Sequence, residues 1–410
     1  MNELVTGLIG ISIVLIFLKF ETLRHPRIKY ALVIGVCLRI ILGLLSTYVI
    51  PLPDSNIDAM TFYTRATEFA NIGLYQVLSE TGYGDGWVYS RIVGIIFSIT
   101  GKSFLLMQSF SFFASMLLIR NAFILGNKAY GRNYGVYLAW IIAIFPSLVL
   151  YGSINLREVF IALLVSYSLI HIVNWSNNNS LGSLLMSLFF IFLAGYLHIG
   201  LIAGAFGILF YVLLEQIVKF SNEYKGYLLN KYHILIILFF SWIFFDLYVF
   251  DIWSLPRFIP YFGDLNNNIL GVINDLSMSR HTGSAAYPYF FVTESVSEFL
   301  LLLPLKIVYF LFSPFLWDIN KPIHILGYID GLLISFATLI MLININKILK
   351  NRSNRIIIFS LIFIVLTYAI VTSNFGTALR HRSKIVLPLF LISIPYINQT
   401  INSLFRKWNK

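Results

Sequence analysis

The residues best suited to chemistry begin with Arg380-His381-Arg382-Ser383-Lys384. Fixed cations and a histidine packed this closely make a strong anion site, and the arginine fork matches phosphate oxygens. A less specific reading is a helix end that attracts anionic headgroups. Asp54 and Asp58 form the next group, in Pro51-Leu-Pro-Asp54-Ser-Asn-Ile-Asp58. At i and i+4 they share a helix face, where paired carboxylates act as a general base or bind a metal. The alternative for Asp54 is an N-cap on a helix starting near residue 57.

Arg157-Glu158 stands in a short turn before an apolar run. It is either a snorkelling pair at a span boundary or part of a site, and Glu158 at a helix start also suits the dipole. His198 lies in the tight turn Gly195-Tyr-Leu-His198-Ile-Gly200, as a packing residue or a ligand contact. Arg257, Arg280 and His281 can add phosphate or sugar contacts, although any loop of this size carries such residues. Tyr83, Trp87, Tyr89, Tyr261, Tyr287 and Tyr289 either stack on sugar rings or form interfacial belts. Arg39 sits inside an apolar run, where a charge is costly, so it should face a bundle or a water cavity.

These residues need elements to hold them, and the composition says which. The chain is 58% hydrophobic and 11% charged, with 37 Phe and 24 Tyr. A soluble domain carries about 25% charged residues, so the class is polytopic membrane protein, all-α. The single cysteine, Cys37, excludes an internal disulfide. Gly101-Lys102-Ser103 lacks the upstream glycine spacing of a P-loop. There is no internal repeat or soluble domain, so residues 1–410 read as one integral membrane domain.

Runs of roughly 20 apolar residues are needed to cross the hydrocarbon layer. About eleven are expected: 4–20, 30–50, 104–123, 134–152, 158–175, 181–197, 199–218, 232–250, 326–346, 356–373 and 386–403. Alternate connections are basic, among them Arg24 to Lys29, Lys128 to Arg132, Lys219 to Lys231, Lys347 to Arg355 and Arg406 to Lys410. The positive-inside rule makes that side cytoplasmic, with the N-terminus outside and the C-terminus inside. Two large outer segments follow, about 51–103 and 251–325, with 88–100 and 299–313 read as amphipathic or re-entrant helices. The net charge of +11 then needs no nucleic acid.

Residues 30–175 resemble the membrane glycosyltransferases of the GT-C superfamily. The likeness lies in Asp58-Ala-Met-Thr-Phe-Tyr63 with Ala66, Gly73-Leu-Tyr75, Gly101-Lys-Ser103, Phe145-Pro146, Tyr151-Gly-Ser153 and Arg157-Glu158. Where that family carries Asp-Glu or Asp-Asp in its first outer loop, this chain has Asp58-Ala59. The C-terminal part resembles Wzy-type O-antigen and exopolysaccharide polymerases, through Phe310–Trp317 and Arg380-His-Arg382 with Pro388.

These resemblances imply transfer of a saccharide from a polyprenyl-phosphate-type carrier at the outer face of a bacterial inner membrane. Asp58 would be the base, assisted by Glu158 and Asp54. Arg380 and Arg382 would hold the departing phosphate, with His381, Lys384, Arg157 and His198 in contact with it. No cofactor is required, and the carboxylates admit a divalent metal. The implied partners are polyprenyl-linked donor and acceptor, membrane lipid, and a chain-length regulator or flippase. The competing readings are a transferase of one sugar from a polyprenyl monophosphate, a lipid-linked oligosaccharide flippase, and a structural or sensory membrane protein.

Overall fold

The computed structural model describes residues 2–73, 76–77, 87–222, 269–281, 283–287, 292–322 and 324–408. Arg257, Tyr75, Tyr83, Tyr261, Tyr289 and the expected span 232–250 lie outside the described residues. The described residues form an all-α bundle with one isolated β-bridge, Ala286 to Asn374. In chain order the helices are α1 Glu3–Arg24, α2 Lys29–Tyr48, α3 Met60–Ile72, α4 Val88–Thr100, α5 Phe104–Tyr130 and α6 Arg132–Ile144. Next come α7 Pro146–Ser153, α8 Glu158–Asn178, α9 Leu181–Leu197, α10 Ile202–Asn222 and α11 Ile269–Met278. The last are α12 Val296–Phe312, α13 His324–Ile343, α14 Arg352–Val371, α15 Phe375–Arg382 and α16 Val386–Trp408.

Seven of these are long and apolar enough to cross a membrane, or eight when α6 and α7 count as one bent span. Helix α9 and the apolar part of α16, Val386–Thr400, are shorter than that. The outward faces of α1, α2 and α13 expose Leu8, Phe17, Ile34, Ile41, Leu332 and Leu339. In water such faces would drive association; in lipid they meet an apolar solvent. Helix α5 is the central element, with 72% of its apolar window buried. Its neighbours approach closely where side chains are absent: a Cβ on Gly135 would lie 2.5 Å from the Phe123 carbonyl. Membrane helices pack through such small residues because lipid supplies no hydrophobic drive between them.

The contacts sort the helix ends into two groups. At one end Glu3 accepts from the Phe104 N–H at 3.1 Å, and Asn155 donates to the Phe104 carbonyl at 3.2 Å. At the other end Arg120 pairs with Glu21 at 3.3 Å, Lys128 donates to Asn174 at 2.8 Å, and Arg352 pairs with Glu215 at 2.6 Å. Among the described residues, Arg120, Lys128 and Arg352 therefore gather at one end, and the Asp54, Asp58, Arg157 and Glu158 segments gather at the opposite one.

The expected span 134–152 is broken. Helix α6 ends at Ile144, Phe145 is extended, and α7 starts at Pro146 with a bend of 57°. Proline removes a donor and pushes the preceding residue out of the helical region. The freed carbonyls need partners, and Arg39 supplies them: it donates to Ala143 at 2.7 Å, Ile142 at 3.1 Å and Gly35 at 2.8 Å. Gly152 leaves room for it, since a Cβ there would sit 2.7 Å from Arg39 Nε. On the far side of the break, the Ser147 N–H donates to Asp330 Oδ2 at 3.2 Å. A cation thus caps a C-terminus and an anion an N-terminus, each matching the dipole it faces. Arg39 faces the bundle, as its cost in hydrocarbon requires. Arg39→Met keeps the aliphatic stem and orphans those carbonyls. It is expected to cost at least about 2 kcal/mol, read as a lower unfolding midpoint in detergent. An unchanged midpoint would remove the capping role.

Candidate functional site

The chain leaves α2 through Pro51-Leu-Pro53 into one π-turn, Ser55–Ala59, which opens directly into α3. Such turns are frequent at functional sites because the extra residue re-aims a side chain. Asp54 precedes the turn with φ of 63° and makes no side-chain cap. The N-cap reading of Asp54 is therefore corrected. Its carboxylate accepts from the Tyr151 hydroxyl at 3.4 Å instead. Burial pushes the Asp54 pKa up, and the nearby Arg380 guanidinium opposes that shift. Asp58, one turn on, has a side chain 40% exposed and ion-pairs with Arg380.

Glu158 opens α8 and is 1% exposed. Snorkelling does not describe it. Its Oε1 accepts from Arg380 Nε at 2.7 Å, while Oε2 is buried without a hydrogen bond. One guanidinium therefore spans Asp58 and Glu158. Burial alone would make Arg380 easier to deprotonate, but Glu158 and then Asp58 outweigh it, so its pKa is raised. Arg157 lies beside Glu158 with its guanidinium 5.5 Å from the Phe62 ring centroid.

The basic run does not act as one clamp. Asn374 caps α15 by accepting from the Gly376 and Thr377 N–H groups, so Arg380, His381 and Arg382 occupy successive helical positions. Successive helical residues point about 100° apart. Arg380 goes to the carboxylates. Arg382 turns the other way and is fully buried. It pairs with Asp330 at 3.5 Å and donates to the carbonyls of Leu311 at 3.0 Å and Ser313 at 2.6 Å. That contact joins the two stretches that carry the polymerase likeness.

His381 takes the third direction, with Lys384 on its own side of the turn. Lys384 Nζ lies 3.1 Å from His381 Nδ1. The His381 ring stacks on Tyr368 at 4.4 Å between centroids, and the His198 ring meets its edge at 4.8 Å. His198 Nδ1 lies 3.1 Å from the Tyr368 hydroxyl. Burial, and then the neighbouring cations led by Lys384, push both histidines well below their ordinary pKa. Burial does the same to Lys384, against the raising field of Glu158.

Arg280, just beyond α11, donates to the Val371 carbonyl at 3.2 Å, and its charge reaches His381 and Lys384. His281 follows, half-buried, with its N–H on the Met278 carbonyl at 3.0 Å. Tyr89 and Tyr287 are 4% and 3% exposed, so they are core residues and not a belt. Trp87 packs edge-on against Phe62 at 5.5 Å.

Tyr368 and Asp330 complete the arrangement without having been singled out from sequence, and Tyr151, quoted in the transferase likeness, joins them through Asp54. Asp330 carries a readable signal, an acid inside the apolar run 326–346. Nothing in the sequence marks Tyr368 among 24 tyrosines. Among the described residues no group of three or more His, Cys, Asp or Glu is placed to hold a metal ion. The carboxylates here meet a guanidinium. The site as a whole offers one accessible carboxylate, a buried acid–arginine pair behind it, and a basic patch alongside. The likeness to known transferases rests on the residues quoted for it: no family model, curated protein or solved structure matches the chain.

Proposed function

We propose that this chain is a membrane glycosyltransferase of the polysaccharide-polymerase kind. It joins saccharide units carried on a polyprenyl diphosphate at the outer face of a bacterial inner membrane. The chain crosses that membrane about eleven times, with the N-terminus outside and the C-terminus cytoplasmic, following the basic turns. Donor and acceptor are both polyprenyl-linked, and a flippase and a chain-length regulator act before and beside it.

The observation that carries this reading is Arg380 held between Asp58 and Glu158 at one end of the bundle, beside Lys384 and His381. Asp58 is the more exposed acid and takes the proton of the acceptor hydroxyl. The acceptor oxygen then bonds to the anomeric carbon. The bond from that carbon to the carrier phosphate breaks, and its electron pair leaves on the phosphate oxygen. Basic side chains stabilise that charge in a site shielded from water. Glu158 orients Arg380, and Tyr151 orients Asp54. The donor arrives already activated, so the reaction needs no nucleotide.

Profiling lipid-linked saccharides in a strain lacking the chain tests this. Single repeat units should accumulate on the carrier at the outer face, and surface chains should shorten to one unit. Loss of one sugar with normal chain length would point to a monophosphate donor. Units trapped at the cytoplasmic face would point to a flippase.

A further inference from the structure

We propose that Lys384, His381, His198 and Tyr368 form the anion-binding part of this site and take up a phosphate or diphosphate ester together with protons. The choice of a phosphate ester rests on the glycosyl-transfer reading; the anion site itself rests on how this cluster is built.

The cluster draws one side chain each from the α9–α10 junction, α14, α15 and the segment before α16. Lys384 and Tyr368 are 1% exposed and His381 is 4% exposed. An ammonium has three N–H donors, and the hydrogen-bond partner of Lys384 is His381 Nδ1. His198 uses Nδ1 on Tyr368. Each imidazole keeps its Nε2 without a protein partner among the described residues. No carboxylate within the described residues ion-pairs with any of the three bases. Glu158, whose field reaches Lys384, gives Oε1 to Arg380.

Arg157 and Glu158 face the cluster from the start of α8, Arg280 from the end of α11, and Arg380 from α15. Tyr368 faces it from α14. Three further buried charges would be costly without an anion. Desolvation and the neighbouring cations hold the two histidines and Lys384 towards their uncharged forms. An entering dianion reverses the balance: it favours the protonated forms, so binding takes up protons. By linkage, affinity is tight at low pH and weakens as pH rises through the range in which the bound groups release those protons. The two other arginine-rich candidates do not serve this role. Arg380 neutralises Asp58 and Glu158, and Arg382 is enclosed with Asp330 and two carbonyls.

The test uses the full chain in phosphatidylcholine nanodiscs, titrated calorimetrically with inorganic pyrophosphate. Measurements in two buffers of different ionisation enthalpy, from pH 6 to 8, give the proton count directly. The expected result is net proton uptake and a Kd that rises several-fold per pH unit, with about tenfold as the limit for one linked proton. Lys384→Met and His381→Asn should each weaken binding about tenfold or more, a loss of one charge-assisted contact. Lys350→Met, at the opposite end of the bundle, should leave it unchanged. Binding without proton uptake, or no binding by the wild-type chain, overturns the proposal even where the variants fail to fold. Adding polyprenyl phosphate to the nanodiscs separates the sources. Competition with pyrophosphate identifies a lipid-borne phosphate, and pyrophosphate binding without competition identifies a water-borne one. Transfer that survives Lys384→Met overturns this inference and leaves the transfer reading standing. Proton-linked binding by a chain whose loss leaves surface polysaccharide intact does the reverse.

Discussion

Asp58→Asn is expected to lower saccharide transfer by about 10²–10⁴-fold, the usual contribution of a positioned general base. The amide is close in shape to the carboxylate but cannot accept the acceptor's proton. Folding should be little affected, because Asp58 lies on the open side of the site with its side chain 40% exposed. Arg380 keeps its other partner, Glu158, at 2.7 Å. The measurement is the rate of chain extension on lipid-linked repeat units, alongside the unfolding midpoint of the purified variant. Full extension rates in the Asp58→Asn variant would remove Asp58 from the chemistry. Arg380→Lys gives an independent check. Lysine keeps the charge but loses the fork that holds Asp58 and Glu158 at once. Transfer should drop in this variant too, with a smaller loss of stability than Arg380→Ala.

Arg382→Ala is expected to cost about 3–5 kcal/mol of stability, because removing one partner of a buried pair strands the other charge. Arg382 and Asp330 are both 0% exposed. The same change orphans the Leu311 and Ser313 carbonyls. Asp330 also holds the N-terminus of α7 through Ser147, so the effect should spread to the helix carrying Tyr151. Asp330→Asn should be milder, since the amide oxygen still accepts from the Ser147 N–H. Thermal unfolding in detergent separates the two variants. A midpoint for Arg382→Ala equal to the wild type would show that the pair contributes nothing net. The two expectations also differ in kind: Asp58→Asn should lose rate with the fold kept, and Arg382→Ala should lose the fold first.

Adjacent residues in the sequence carry these different outcomes. Arg380, His381 and Arg382 read as one anion clamp, because a linear stretch does not show where side chains point. Within a helix they diverge by about 100° per residue. Arg380 meets two carboxylates, His381 a stacked tyrosine, and Arg382 an acid on α13. Lys384 rejoins His381 because it lies three residues on. Asp54 shows the opposite limit. Its Pro-containing context suits an N-cap, but the chain turns through a π-turn at that point and sends the carboxylate to Tyr151. Asp330 was open to detection as a charge inside an apolar run, as Arg39 was.

The sequence by itself determined that the chain is an all-α, membrane-type bundle. Apolar runs near membrane length and a charged fraction of 11% permit little else. It also carried the expectation that the segments of Asp58, Glu158 and Arg380 share one face, and the structure brings those three residues together. The tertiary structure alone decided which charge meets which. The partners of Arg380 lie 322 and 222 residues away, and those of Arg39 across the helix break lie 103 and 104 residues away. Pairings at that separation depend on how helices rotate and where Pro146 bends one of them. Those are packing outcomes, set by shape and desolvation across several elements at once, and no local pattern encodes them.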